Sequence, residues 1–151
     1  MAEYLANAEQ LVSLNSAILF TASIPCTRGN IYHEDETGIF ILKGKVTNPC
    51  AQFARYRLSF NGNIALPTGT AVPIATAIAV NGESRPTSRA IFTPSAADTY
   101  GNVTSTATVD VPAGCCFSVS VRAVSGVDDD TTTPAPAINV QNANLIIDRI
   151  A

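Results

Sequence analysis

Tryptophan is absent from this chain, histidine and methionine occur once each, and charged residues make up only 14% of its 151 positions. Each scarcity excludes something. Without tryptophan, and with few aromatics of any kind, there is no evident platform for stacking a sugar ring. A single histidine, His33, leaves one place for a Ser-His-Asp triad, and no nucleophile elbow lies near it. The nine basic residues are scattered, and the net charge is −3. Without a basic stripe, nucleic-acid binding is not expected. Sparse charge suits a chain with an obligate partner instead, because such a chain tolerates more apolar and neutral surface.

Other absences narrow the class further. No apolar run is long enough to span a bilayer: the weakly polar stretch from Ile64 to Val80 is broken by Pro67, Gly69 and Pro73. The opening Met1–Glu9 is acidic and lacks the basic start and apolar core of a secretory signal, so synthesis in a cytoplasm is expected. The cysteines are Cys26, Cys50, Cys115 and Cys116, with no C-x-x-C pair. A lone histidine gives poor support for zinc. Two readings of the thiols stand. Either they are buried and act as small hydrophobes, or a late disulfide, Cys26–Cys50, forms in an oxidising medium. His33 beside Glu34, Asp35 and Glu36 reads as a solvated acidic turn, and Asp128-Asp129-Asp130 lacks the alternating spacing of a calcium loop. No metal, no cofactor and no catalytic residue is expected.

What is present is alternation. Gln52–Ile64 places Tyr56, Leu58 and Phe60 on one face and Phe53, Arg55, Arg57 and Ser59 on the other. Val103–Val111 alternates apolar and small residues against Thr104, Thr106, Thr108 and Asp110. Strands are also expected over Leu11–Leu14, Ala17–Ala22, Ile31–His33, Ile39–Lys43, Val72–Val80, Ser88–Thr93 and Cys116–Val124. Asn81-Gly82 marks a tight hairpin. The last run, Ala137 to Ile150, alternates to the end, but both of its rows mix apolar and amide residues. Two covered faces are therefore expected, one against the core and one against another copy of the chain. With eight to ten strands and no helical pattern, the fold class is an all-β antiparallel sandwich. Met1–Gln10 reads as an N-terminal arm, and residues 11–151 as one domain.

The order of motifs carries a resemblance. Ala17-Ile18-Leu19-Phe20, then Gly29-Asn30-Ile31-Tyr32-His33, then Thr37-Gly38-Ile39-Phe40-Ile41-Leu42 is similar to the opening of the TNF/C1q-like jelly roll found in bacterial and phage proteins. Ala79-Val80-Asn81-Gly82-Glu83, Val109-Asp110-Val111-Pro112-Ala113-Gly114 and Ala143-Asn144-Leu145-Ile146-Ile147 resemble its later turns and closing strand. Together with Cys26, Cys50 and Gly114-Cys115-Cys116, the chain looks like small virion proteins of phages of Gram-positive gut bacteria.

That resemblance implies a homotrimer with no enzymatic activity, a capsid decoration or head-fibre protein on the virion surface, assembled in the host cytoplasm. Its inner sheet would contain Ala17–Thr21, Gln52–Phe60, Val103–Val111 and Ile138–Ile150. The implied trimer interface is Phe53, Arg55, Arg57, Ile146, Asp148, Arg149 and Ile150. The arm, through Tyr4 and Leu5, would dock on capsid protein. The competing reading is a carbohydrate-binding or receptor-binding adhesin module that holds a host or mucus glycan. Neither reading involves a membrane.

Overall fold

The computed structural model describes residues 1–24, 29–34, 36–127 and 135–151. Two antiparallel sheets face each other. The strands in chain order are β1 (Ala2–Ala6), β2 (Gln10–Val12), β3 (Ala22–Ile24), β4 (Ile31–His33), β5 (Phe40–Lys43) and β6 (Phe53–Ala65). They continue as β7 (Ile74–Val80), β8 (Glu83–Ser84), β9 (Ala90–Phe92), β10 (Gly101–Pro112), β11 (Cys116–Ser125) and β12 (Ile138–Arg149). The inner sheet runs β10-β6-β12-β1-β3, with β2 also on β12; the outer sheet runs β4-β5-β11-β7-β8, with β9 on β7. From β5 onward the long strands cross between the sheets: β6, β10 and β12 lie in one, β7 and β11 in the other. This is the jelly-roll way of covering both faces of a core.

The alternation read from β6 holds. Tyr56, Leu58 and Phe60 are buried in the core against Ile18, Phe20, Phe40 and Leu42. The buried Tyr56 hydroxyl donates to the Lys43 carbonyl at 2.6 Å, so its polar atom is matched. The strand β7 is almost wholly buried and apolar apart from Thr76. Asn81 and Gly82 have φ of +51° and +86°, which is the twisted two-residue hairpin expected of Asn-Gly.

Three expectations are corrected. Residues 2–6 are not an arm but a strand clasped between β12 and β3. Ala2, Tyr4 and Ala6 point into the core, and two alanines at inward positions made this short alternation easy to overlook. Ala17–Thr21 is not a strand of the inner sheet but passes from one sheet to the other. Ala17 bridges Arg122, and Ile18 N–H donates to the Val121 carbonyl, so the segment starts beside β11 of the outer sheet; by Thr21, whose N–H donates to the Leu5 carbonyl, it has crossed to β1 of the inner one.

The third correction concerns β12. Its register shifts between Gln141 and Asn144, where Asn142 has φ of +49°. This is a β-bulge, which turns the strand over. Ile138 and Val140 face inward before it, and Ala143, Leu145 and Ile147 after it. The two mixed rows of the sequence are thus one clean core row cut by an extra residue.

Candidate assembly surface

The outward face of the inner sheet is built from cross-strand pairs. On β6 and β10, Arg55 faces Asp110, Arg57 faces Thr108, Ser59 faces Thr106 and Asn61 faces Thr104. Across to β12, Arg57 faces Asp148, Ser59 faces Ile146 and Asn61 faces Asn144. Further on, Ile146 lies beside Glu3, which lies beside Ile24, and Asn144 lies beside Leu5. Side chains paired in this way share a face. The resulting surface has an apolar part (Leu5, Ile24 and Ile146), a hydroxyl and amide part on β10 and β6, and charges toward one end.

Those charges are paired. Arg55 grips Asp110 with two bonds, Nε at 2.7 Å and an Nη at 2.9 Å. The fork holds the Asp110 carboxyl below its usual pKa and raises the Arg55 guanidinium above its own. Arg55 also lies 5.0 Å from the centre of the Phe53 ring, a cation–π contact. Arg57 reaches Asp148 at 3.3 Å, and the Met1 amine lies 3.9 Å from the same carboxylate. Glu3 accepts from the Asn144 amide at 3.2 Å. A face whose charges are matched within one subunit costs less to cover than one with free ions.

Of the residues assigned to the interface from sequence, Phe53, Arg55, Arg57, Ile146, Asp148 and Ile150 share this face. Ile150 N–H donates to the Arg55 carbonyl, which continues the ladder past β12. Arg149 does not share it. It pairs with Tyr56, so it points to the opposite side of the strand, as the neighbour of an outward Asp148 must. Sequence reasoning missed Glu3, Leu5 and Ile24 as members of the face. The strand period of residues 2–6 was the signal that could have found them.

The other residues singled out from sequence have structural places. Tyr4 is 3% exposed and packs on Phe40 and His33, with ring centres 4.4 and 5.1 Å away. Leu5 is half-buried in the sheet, so neither residue is offered on a free arm. The His33 ring stacks on Phe40, and its Nε2 donates to the Thr37 carbonyl at 2.9 Å. Asp35 and Asp128-Asp129-Asp130 lie outside the described residues. Cys50, Cys115 and Cys116 are exposed rather than buried among hydrophobes: Cys50 and Cys115 sit on the crossovers at the end of the sandwich, and Cys116 opens β11. Cys26, the other half of the expected disulfide, lies outside the described residues.

A scan against protein-family models finds no match, and neither does a search of curated proteins. Solved structures do match. The globular domain of zebrafish complement 1qA protein is similar at TM-score 0.54 and 12% identity, over 96% of this chain and 94% of that one. The Eiger TNF of S. frugiperda matches at TM-score 0.63 and 10% identity, over 100% of this chain and 92% of that one. Murine APRIL matches at TM-score 0.51 and 12% identity, over 95% and 96%. The chain therefore has the TNF/C1q-like jelly-roll fold along its whole length.

Proposed function

We propose that this protein is a non-enzymatic structural subunit. Three copies associate through the outward face of the inner sheet, and the trimer is mounted on a bacteriophage particle as a capsid decoration or head-fibre protein. The observation that carries the assembly reading is the surface just described. It crosses five strands, exposes Phe53, Ile24 and Ile150 beside the half-buried Ile146, and carries charges that are already paired. Such a face loses little on desolvation of its ions and gains from covering its apolar part. The virion reading is supported by the sequence resemblance. It implies a place on the virion surface and assembly in the host cytoplasm. The partner is capsid protein, held by some surface other than an N-terminal arm.

Sedimentation equilibrium at micromolar concentration tests the assembly, with a trimer mass expected and a monomer mass contradicting it. Co-sedimentation with particles lacking the protein tests the mounting. Trimers that stay in the supernatant would refute the virion role and leave the assembly untouched.

A further inference from the structure

At one end of the sandwich, where the sheets part, lies a cavity of about 510 Å³. Its walls come from β4 (Asn30 just before it, and Ile31), from the crossover after β5 (Lys45 and Thr47) and from the end of β12 (Arg149 and Ile150). The charged side chains of this lining are both cations, Lys45 and Arg149. The chain-end residue Ala151 takes up only part of Arg149: its carbonyl accepts from Nε at 3.2 Å and from Arg55 N–H at 3.0 Å. Lys45 has no ion pair or hydrogen bond to any described residue.

Asn30 adds a polar group to the lining. It is 7% exposed, and its carbonyl accepts from Lys43 N–H and the Tyr56 hydroxyl. Its side-chain amide is not one of the buried polar atoms left unpartnered, and the residue lines the cavity. The apolar walls matter too. Ile31 is half-buried in the wall, whereas Ile150, 49% exposed, only reaches the rim from the outward row.

We propose that this cavity binds an acidic saccharide, a pyranose that bears a carboxylate. The free Nη groups of Arg149 and the Lys45 ammonium meet the carboxylate, one as a fork and one as a point charge. The Asn30 amide and the Thr47 hydroxyl pair with ring hydroxyls. Ile31 lies against the apolar C–H face of the ring. The volume falls within the range of about 300–1,000 Å³ usual for small-molecule sites. A bare inorganic anion would make no use of the aliphatic walls or the amide. With no aromatic ring to stack on, affinity at one site is weak, and three sites on one particle compensate by multivalency. The site itself does not depend on the trimer.

The test is calorimetric titration of the full chain with methyl glucuronide, methyl glucoside and inorganic phosphate, together with sedimentation of the same samples. The glucuronide is expected to bind at least about tenfold more tightly than the neutral glucoside, a difference of about 1.4 kcal/mol. Lys45→Gln, on an exposed side chain, is expected to erase that preference with an unchanged sedimentation profile. Equal binding of the two glycosides overturns the proposal. So does phosphate binding as tight as the uronide, which would make the cavity an anion hole only, and so does an uronide preference that survives in K45Q. A trimer that fails to bind the uronide refutes this site alone, and a monomer that binds it refutes the assembly alone.

Discussion

Gly44 joins the two crossovers that carry the chain between the sheets. Its N–H donates to the Cys115 carbonyl at 2.7 Å, and its own carbonyl accepts from Gly114 at 2.9 Å. A Cβ at this position would run into the Pro112 carbonyl, which is backbone and cannot swing aside. Gly44→Ala is therefore expected to cost about 2 kcal/mol, seen as a lower urea midpoint at unchanged slope. Two single groups also set the pH limits. Asp110 has a lowered pKa in the fold, from its hydrogen bonds to Arg55 first. Its contribution is present above the ordinary carboxylate range and is lost as pH falls through the folded value. Arg55→Gln should remove that acid-side dependence. Tyr100 is shifted the other way, to about 12, by burial first and the nearby Glu9 carboxylate second. Stability tied to it is complete below pH 10 and fades as pH rises through 12. Tyr100→Phe should flatten the alkaline limb of the unfolding curve, and an unchanged limb would show that other groups control it.

Among the elements, the bulge in β12 governs most. Asn142 holds a left-handed backbone there, which glycine adopts freely and a β-branched residue resists at about 1–2 kcal/mol. Asn142→Gly should fold normally and Asn142→Val should lower the midpoint of thermal unfolding; the reverse order would deny the bulge its backbone role. This element also shows what the sequence makes legible. The strands β6, β10 and β11 are readable because their apolar residues hold one parity from end to end. In β12 the parity changes in mid-strand, so a period-2 reading finds two mixed faces where there is one core face and one outer face. In β1 the inward positions are Ala2, Tyr4 and Ala6, and only one of these is a large apolar side chain. Its partners, β12 and β3, are invisible to any local pattern because one of them lies about 140 residues away.

For the molecule as a whole, the outward face decides what charge can be placed where. Ile146 is half-buried on that face, between Ser59 and Glu3, and not in the core. Ile146→Asp is thus expected to leave the strand content in circular dichroism intact while converting the proposed trimer to monomer in sedimentation. Loss of the fold would place Ile146 inside, and a surviving trimer would place the contact elsewhere. Most of this face was legible from parity along β6 alone, because Phe53, Arg55 and Arg57 must share a side. The assignment of both Asp148 and Arg149 to it could not hold, since neighbours on a strand part company. The cavity beside Arg149 was not legible at all, because it gathers residues from three separate segments.

The place of β1 also fixes an order of events. Its register couples Ala2 to Ile147 and Ala6 to Ala143, so the inner sheet closes over nearly the full length of the domain. While the polypeptide is still being synthesised, β1 has only the short β3 beside it, and the core face of Tyr4 has no cover from β12. Native closure must wait until residue 147 has cleared the ribosome. Pairing at such a separation is slow to find, and the waiting edge is the one most exposed to a neighbouring nascent chain.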